Sequence, residues 1–588
     1  MIGSRQFRFK AMPENRSMTA TPSSYLVPDS SPPVAIVGLT MPALHQKYTA
    51  AGKCMFREVG VPLPSEAAFR RSWAKDKRQW LSRGFSLRNH NGKWMLQQWL
   101  AITPEGLKLT TIGIERLEAA SQPQPQQQAL NLIPAEIHLD LPELSAEIVA
   151  KLRGYQVEPA RQLYRALSKG REEWGYSGAA DFSDGGSGKT YMDIAAALQL
   201  GKRIGVLCPS VGEAGWRKAF VHFGAEPHFI STYEAVRGAF RPHIATMDSM
   251  GKFTWKHPED LVLILDEAQA LRKEETLTVR CCSAAIRQGI PIIVASATIA
   301  ISPLEMRFAG RVTGLHQGGD DWSRFLSAHG CVKQRSTWKW DMRHHHLQRI
   351  HSQLFPRRGC RVRKQDLGDE CPETQIEVLP FDVPEGRKIE QEWKDTLEMI
   401  DRLQRQGMNQ ARAKIVEKQA RMKMWQRCEM TLVPYIAARI RADLEEDKSV
   451  AVFMNFNESR IALSKLLNTN AGFYGGQPKS RRQYYEREFQ ANRIHVLVSN
   501  IGAGGASVSL HDERRERQRV SYIFPTDHVV QMEQATFRVD RVGGKSLSVQ
   551  WIPCLKGAIT EKMVARTRDK MLRISILNNG LEKAVSRF

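Results

Sequence analysis

Short aliphatic and β-branched runs alternate with stretches of helical periodicity from about residue 148 to 310, and the same rhythm returns from about 448 to 575. Repeated parallel βαβ units produce it, because a strand buried on both faces reads as a continuous apolar run while each crossover helix carries one apolar stripe. Leu261 to Leu265 and Pro291 to Ala295 are the clearest strands of the first block, and Val450 to Phe456 opens the second. Two α/β lobes are predicted. Between them, residues 386 to 428 mix charge with Leu397, Ile400, Leu403, Ile415 and Met424, the pattern of a helical insertion with a solvated face.

Upstream of the first block the pattern changes. Ser65 to Phe85 reads as a helix carrying Arg70, Arg71, Lys75, Lys77, Arg78 and Arg83 between Phe69, Trp73, Trp80 and Leu81. Trp94 to Leu100 and Ile102 to Leu109 then alternate as a hairpin would. The order resembles a winged helix, and a plain basic cap fits the same residues. Gln122 to Gln128, broken by Pro123 and Pro125, reads as a linker. The expected division is a disordered leader at 1–45, a basic accessory domain at 46–120 and a linker at 121–145. Lobe 1 follows at 146–325, an inter-lobe segment with the helical insertion at 326–430, lobe 2 at 431–575 and a tail at 576–588.

Charge narrows the partners. The chain has 588 residues and a formal net charge of +23, an excess that a polyphosphate attracts by releasing its counterions. No apolar run approaches the roughly 20 residues of a membrane span, so no membrane association is expected. The nine cysteines contain no CxxC pair, which argues against a zinc ribbon or a secreted disulfide framework and for reduced thiols in a cytoplasmic setting, with a nuclear one left open. His344, His345, His346 and His351 lack partners at metal-ligand spacing and read as a basic surface patch.

The chemistry begins at Ser183 to Thr190, Ser-Asp-Gly-Gly-Ser-Gly-Lys-Thr. Gly185, Gly186 and Gly188 let the backbone wrap tightly, so that its N–H groups, with that of Ser187, converge on phosphate oxygens. Lys189 would neutralise the β and γ phosphates of ATP, the Thr190 hydroxyl would hold Mg²⁺, and a helix from Tyr191 would turn its positive end to the anion. Ser183 stands where glycine is usual. About 77 residues beyond Lys189, the strand Leu261 to Leu265 ends in Asp266-Glu267-Ala268-Gln269, at the sheet edge where ligands of open α/β folds bind. Asp266 would bind Mg²⁺, and Glu267 would polarise the attacking water.

Ser296-Ala297-Thr298, directly after the second strand, brings the series to three motifs, and this order resembles superfamily 2 helicases, in which such a triplet couples the nucleotide site to the nucleic-acid track. Leu152 to Gln156 looks like that family's adenine-reading element, with Gln156 as the reader. The second block looks more like the Swi/Snf-type translocases of the superfamily. Arg361, Arg363, Lys364 and Asp366 before Pro372 resemble their inter-lobe segment, and Tyr474-Gly475-Gly476 with Arg482 and Phe489 resembles the next element. Ala503-Gly504-Gly505 resembles the glycine-rich motif, with Ser507 for a usual glycine. Gln534-Ala535, Arg538, Arg541, Gly543 and Lys545 resemble the last motif, with Phe537 where many members have glycine.

The resemblance, over about 148 to 570, implies two tandem RecA-like lobes, parallel sheets with flanking helices, with ATP and Mg²⁺ in the cleft. It adds Gln269 and Gln534 to the nucleotide-binding set, Gly504 and Gly505 to the coupling set of Ser296, Ala297 and Thr298, and makes Arg541, with Arg538 beside it, the charge-stabilising finger. Three residues apart, the two arginines are expected on one helical face. The expected activity is nucleic-acid-dependent ATP hydrolysis that drives movement on DNA, duplex favoured over single strand. An RNA helicase and a non-hydrolysing nucleic-acid scaffold are the alternatives, and duplex translocation and strand separation both stay open.

Overall fold

The computed structural model describes residues 55–59, 85–90, 93–103 and 106–109 as strands, and residues 139–238, 241–272, 276–504 and 508–581 in full. The chain divides into two units, Met1–Ile137 and His138–Phe588. In the first, β1 (Met55–Val59), β2 (Phe85–His90) and β4 (Gly106–Leu109) each pair antiparallel with the long β3 (Lys93–Thr103). His90 stands opposite Lys93, the register that the intervening Asn91-Gly92 dipeptide favours. A hairpin is present as β3 and β4, but its turn follows Thr103, so Ile102 ends the first strand instead of opening the second; the expected helix before Phe85 lies outside the described residues.

The second unit holds the two RecA-like lobes. Lobe 1 opens with α1 (Ala146–Val149) and α2 (Gly154–Trp174), then runs β5 (Gly178–Asp181), α3 (Lys189–Gln199), β6 (Arg203–Leu207), α4 (Glu213–Phe223), β7 (Phe229–Ser231) and α5 (Tyr233–Arg237). A small hairpin of β8 (Ala245–Met247) and β9 (Phe253–Trp255) precedes β10 (Leu261–Asp266), α6 (Leu277–Arg287), β11 (Ile292–Ala295), α7 (Arg307–Val312) and α8 (Gly319–Ala328). The hairpin of β12 (Cys331–Gln334) and β13 (Thr337–Trp340), α9 (His344–Leu354) and the two-residue β14 (Gly359–Cys360) complete the lobe. Its six parallel strands lie in the order β14-β5-β11-β10-β6-β7. Leu261 to Leu265 and Ile292 to Val294 are fully buried, which is why they read as uninterrupted apolar runs. The β14 strand lies well past residue 325: the stretch expected to leave lobe 1 returns to pair with β5.

Lobe 2 begins with β15 (Thr374–Phe381), ahead of the helical insertion, which forms α10 (Pro384–Arg405) and α11 (Gln410–Glu445). There follow β16 (Ser449–Met454), α12 (Asn457–Leu466), α13 (Lys479–Gln490), β17 (Val496–Asn500), α14 (Ile501–Gly504), β18 (Arg519–Ile523), α15 (Val529–Thr536), β19 (Ser548–Leu555) and α16 (Ile559–Asn579). The strands are parallel in the order β15-β19-β18-β16-β17. Leu432, Val433, Ile436, Ala437 and Ile440 form the buried stripe that docks α11 on this sheet, whereas Ile415 near its start is exposed.

Helix α16 ties the lobes. Its Val564, Met571 and Ile574 belong to the core of lobe 2, while Ile576 and Leu577 are buried in the core of lobe 1. Residues 576 to 579, expected as part of a tail, are thus the end of a structural helix, anchored by apolar side chains too few to show a period. Among the described residues no helix is long and apolar enough to cross a membrane.

A small aromatic cluster under α8 makes stability pH-dependent. His316 and His329 are buried, with ring centroids 4.7 Å from Trp322 and 4.3 Å from Phe325. Burial pushes both imidazoles down to about 4. The unfolded chain therefore binds more protons than the folded one between about pH 6.5 and 4, so stability falls as pH falls through that window. From pH 7 to pH 5 each histidine is expected to cost about 2 kcal/mol. NMR titration of the two imidazole rings between pH 7 and pH 5 checks this, and protonation of either ring near pH 6.5 in the folded protein would contradict neutral burial.

Candidate functional site

The phosphate loop joins β5 to α3. Gly186 and Gly188 take left-handed backbone angles, φ 81° and 87°, which only glycine adopts at low cost. Ser183, the departure from the usual glycine, is fully buried, and its hydroxyl accepts the Val362 N–H at 2.9 Å. The next residue repeats the device, since the Asp184 carboxylate takes Arg361 Nη2 at 2.7 Å and the Lys364 N–H at 3.0 Å. The loop is thereby stapled to the segment after β14. Lys189 folds into the loop, its Nζ donating to the Ser183 and Asp184 carbonyls at 3.0 and 3.2 Å.

Gln156 is buried beneath this loop. Its Oε1 accepts the Arg153 N–H at 3.0 Å, capping α2, and its Nε2 approaches the Gly188 carbonyl at 3.5 Å. A Cβ at position 188 would come within 2.3 Å of that nitrogen, which explains why glycine stands there. The Tyr155 hydroxyl donates to the Ser187 carbonyl at 3.1 Å. Both side chains support the loop.

Asp266 ends β10. Its Oδ2 accepts Trp216 Nε1–H at 2.9 Å, and its Oδ1 accepts the Glu267 N–H at 2.9 Å. Burial, reinforced by the Glu267 charge, pushes its carboxyl up to about 6. Asp193 of α3 is fully buried, and its carboxyl shares a hydrogen bond with the buried Asp181. Burial first, then Asp181 and Asp266, hold Asp193 well above the usual carboxylate range, with Lys189 opposing. Among the described residues no group of three or more His, Cys, Asp or Glu side chains is placed to hold a metal ion, so a divalent cation here would rest on few protein oxygens and on the phosphates themselves. Asp266 and the half-buried Thr190 are the residues that would hold Mg²⁺, offering the oxygen donors this ion prefers.

From Glu267 a chain of short contacts leaves the site. Gln269 Nε2 donates to Glu267 Oε2 at 2.6 Å, the Ser296 hydroxyl donates to Gln269 Oε1 at 2.6 Å, and Ser296 Oγ accepts the Thr298 N–H at 3.0 Å. The Ala297 carbonyl accepts Asn578 Nδ2–H of α16 at 2.8 Å. Gln269 therefore bridges the acid to the Ser-Ala-Thr triplet, where the sequence placed it among nucleotide contacts.

Lobe 2 closes directly over the loop. A Cβ at Gly185 would lie 2.3 Å from the Phe537 ring, and one at Gly186 would lie 2.8 Å from Arg541 Cγ. The early lysine and the late arginines thus share one seam. The arginines do not share a helical face, however: α15 ends at Thr536, and Phe537 to Arg541 form the turn beyond it. The chain leaves the helix because the Leu510 N–H bonds to the Arg538 carbonyl at 2.9 Å. Arg538 is buried, its Nη1 donating to the Val508 carbonyl at 3.3 Å, and burial next to Arg541 pushes its guanidinium down to about 9. Arg541 donates to the Ser509 hydroxyl at 2.7 Å and is lowered by burial. The Glu267 charge raises both, which puts this lobe 1 carboxylate within electrostatic reach of both lobe 2 arginines.

Three residues enter that the sequence did not single out for these roles. Glu486 of α13 accepts the Ser509 N–H at 2.7 Å and faces Arg541, Arg538 and Arg482. Trp216 fixes Asp266. Lys364, buried, reaches Asp540 Oδ2 at 2.5 Å and lies 4.5 Å from the centroid of the Phe537 ring, clasping the lobe 1 segment to the arginine turn. Replacing Lys364 with methionine leaves Asp540 buried without this cation and is expected to cost about 3–5 kcal/mol; a denaturation midpoint equal to wild type would reject the clasp. Gln534 is half-buried on α15, Gly504 packs against Ser499 and Phe453, and Gly505 lies outside the described residues.

No protein-family model matches the chain. Over 471 residues, 74% of this chain and 85% of the relative's length, it is 27% identical to a protein of Acanthamoeba polyphaga mimivirus that carries the name ATP-dependent RNA helicase. With two RecA-like lobes meeting over a phosphate loop, this likeness supports a place for the chain in a helicase superfamily.

Proposed function

We propose that the chain is an ATP-driven nucleic-acid motor of the superfamily 2 class, acting on DNA and on duplex in preference to single strand. One observation carries the reading: the turn that bears Arg538 and Arg541 packs on Gly185 and Gly186, with Glu267 in reach of both guanidinium groups. ATP binds with its phosphates on the loop and Lys189, and Asp266 and Thr190 would hold Mg²⁺, which would neutralise phosphate charge. Glu267 orients water and accepts its proton, while the arginines stabilise charge on the γ-phosphate. Loss of that phosphate removes what favours the closed lobes, since a ligand shifts an equilibrium only by its preference between states. Gln269 and the Ser296 to Thr298 triplet carry the change away from the site. Nucleic acid is held by its backbone, with the basic accessory domain of residues 46–120 as a further contact.

The resemblance of lobe 2 to Swi/Snf-type translocases supports duplex DNA, and the name of the viral relative favours RNA as the second reading. ATPase rates with duplex DNA, single-stranded DNA and RNA at equal salt separate them. The largest stimulation is expected with duplex DNA. Strongest stimulation by RNA would transfer the proposal to RNA, and no response to any nucleic acid would reject the motor.

A further inference from the structure

Lobe 2 carries a second concave site, apart from the ATP seam. A pocket of about 500 Å³ lies between α12, the chain that follows it and the first turn of α13. Arg460, Lys465 and Arg481 line it together with Asn468, Thr469 and Tyr474, and no carboxylate is among its lining residues. Elsewhere on this lobe cations sit against acids, as Lys448 does with Asp443 and Glu446, and Arg493 with Glu488. Three positive charges gathered in a concavity without a counter-charge focus the field outward.

Tyrosine side chains hold the two guanidinium groups. Arg460 lies 4.5 Å from the centroid of Tyr474, and its Nε is buried without a hydrogen-bond partner. Arg481 Nε donates to the Tyr485 hydroxyl at 3.2 Å, with its guanidinium 5.7 Å from that ring. These ring and hydroxyl contacts hold the two guanidinium groups in place without bringing a counter-charge, the state in which an arginine is ready to fork onto a phosphate. Lys465 and Arg481 are exposed at the rim, so the site meets a chain passing across it rather than enclosing a small anion. Residues 471 to 473 pair with β17, placing the pocket at the outer edge of the sheet. Beyond Tyr474, a Cβ at Gly475 or Gly476 would meet nothing within 4 Å.

We propose that this pocket seats backbone phosphates of the nucleic acid, extending the track past the cleft to the outer edge of lobe 2; the inference rests on the nucleic-acid reading above. Contacts to phosphate position a strand without reading its sequence. The test is fluorescence anisotropy of labelled duplex DNA and duplex RNA against the full chain over a salt series. It compares wild type, Lys465→Ala/Arg481→Ala, the same variant with Arg460→Ala added, and the charge-keeping Lys465→Arg/Arg481→Lys.

Each lost phosphate contact lowers the slope of log affinity against log salt by about 0.9. The double variant should therefore be shallower by about 2, the triple variant shallower still, and the charge-keeping variant near wild type. Because Lys465 and Arg481 are exposed, the double variant should melt with wild type, so a changed slope there does not report misfolding. Wild-type binding with an unchanged slope in the double variant overturns the pocket while sparing the motor. Absence of wild-type binding overturns the reading beneath both. A rise in wild-type melting temperature with inorganic pyrophosphate that the double variant lacks, at equal slopes, assigns the pocket to a free anion and also overturns the proposal.

Discussion

Replacing Lys189 with alanine is expected to lower ATP turnover at least about 100-fold, the scale on which a single preorganised charge acts on a developing phosphoryl transition state. The fold should be spared. The Lys189 ammonium bonds only to the carbonyls of Ser183 and Asp184 inside its own loop, and such contacts within one turn are each worth about 1 kcal/mol net. The measurement is steady-state ATPase beside a denaturation curve. Normal turnover in a folded variant would remove the loop from the chemistry.

Arg541→Ala is expected to lower the ATPase rate about a thousandfold, the lower end of what a finger arginine supplies, with ATP affinity changed far less. The side chain is half-buried and anchored on Ser509 within lobe 2, yet its Cγ lies against Gly186 of lobe 1, so closure of the lobes brings it to the phosphate. Arg541→Lys should not rescue, because a point ammonium lacks the planar fork that reaches two oxygens at once. Single-turnover hydrolysis together with equilibrium binding of a fluorescent ATP analogue separates the two effects. A variant that loses binding but hydrolyses what it binds at the normal rate would assign Arg541 to nucleotide recognition.

The parts legible in the sequence were those whose physics is local. A phosphate loop is eight consecutive residues, and a buried strand ending in two acids is six or seven, so both declare themselves without knowledge of what packs on them. The α/β rhythm of both lobes is legible for the same reason. What escaped depends on residues far apart in the chain. Ser183 reads as a defect in a glycine motif until Val362 is seen to donate to its hydroxyl. The strand Gly359–Cys360 is two residues long and has no periodicity to read. Arg538 and Arg541 were expected on a helix from their spacing, but a backbone bond to Leu510 draws that segment out of α15, and tertiary pairing overrides a local pattern. Glu486 carries no motif, and only the fold brings it to the arginines.

The central claim is that ATP is hydrolysed at a seam built by both lobes. Its most direct test is an experimental structure of the chain with a non-hydrolysable ATP analogue and Mg²⁺. The account predicts a γ-phosphate within hydrogen-bond distance, about 3 Å, of both Lys189 Nζ and a guanidinium nitrogen of Arg541 or Arg538. A nucleotide held by lobe 1 alone, with both arginines out of reach in every captured state, would contradict it.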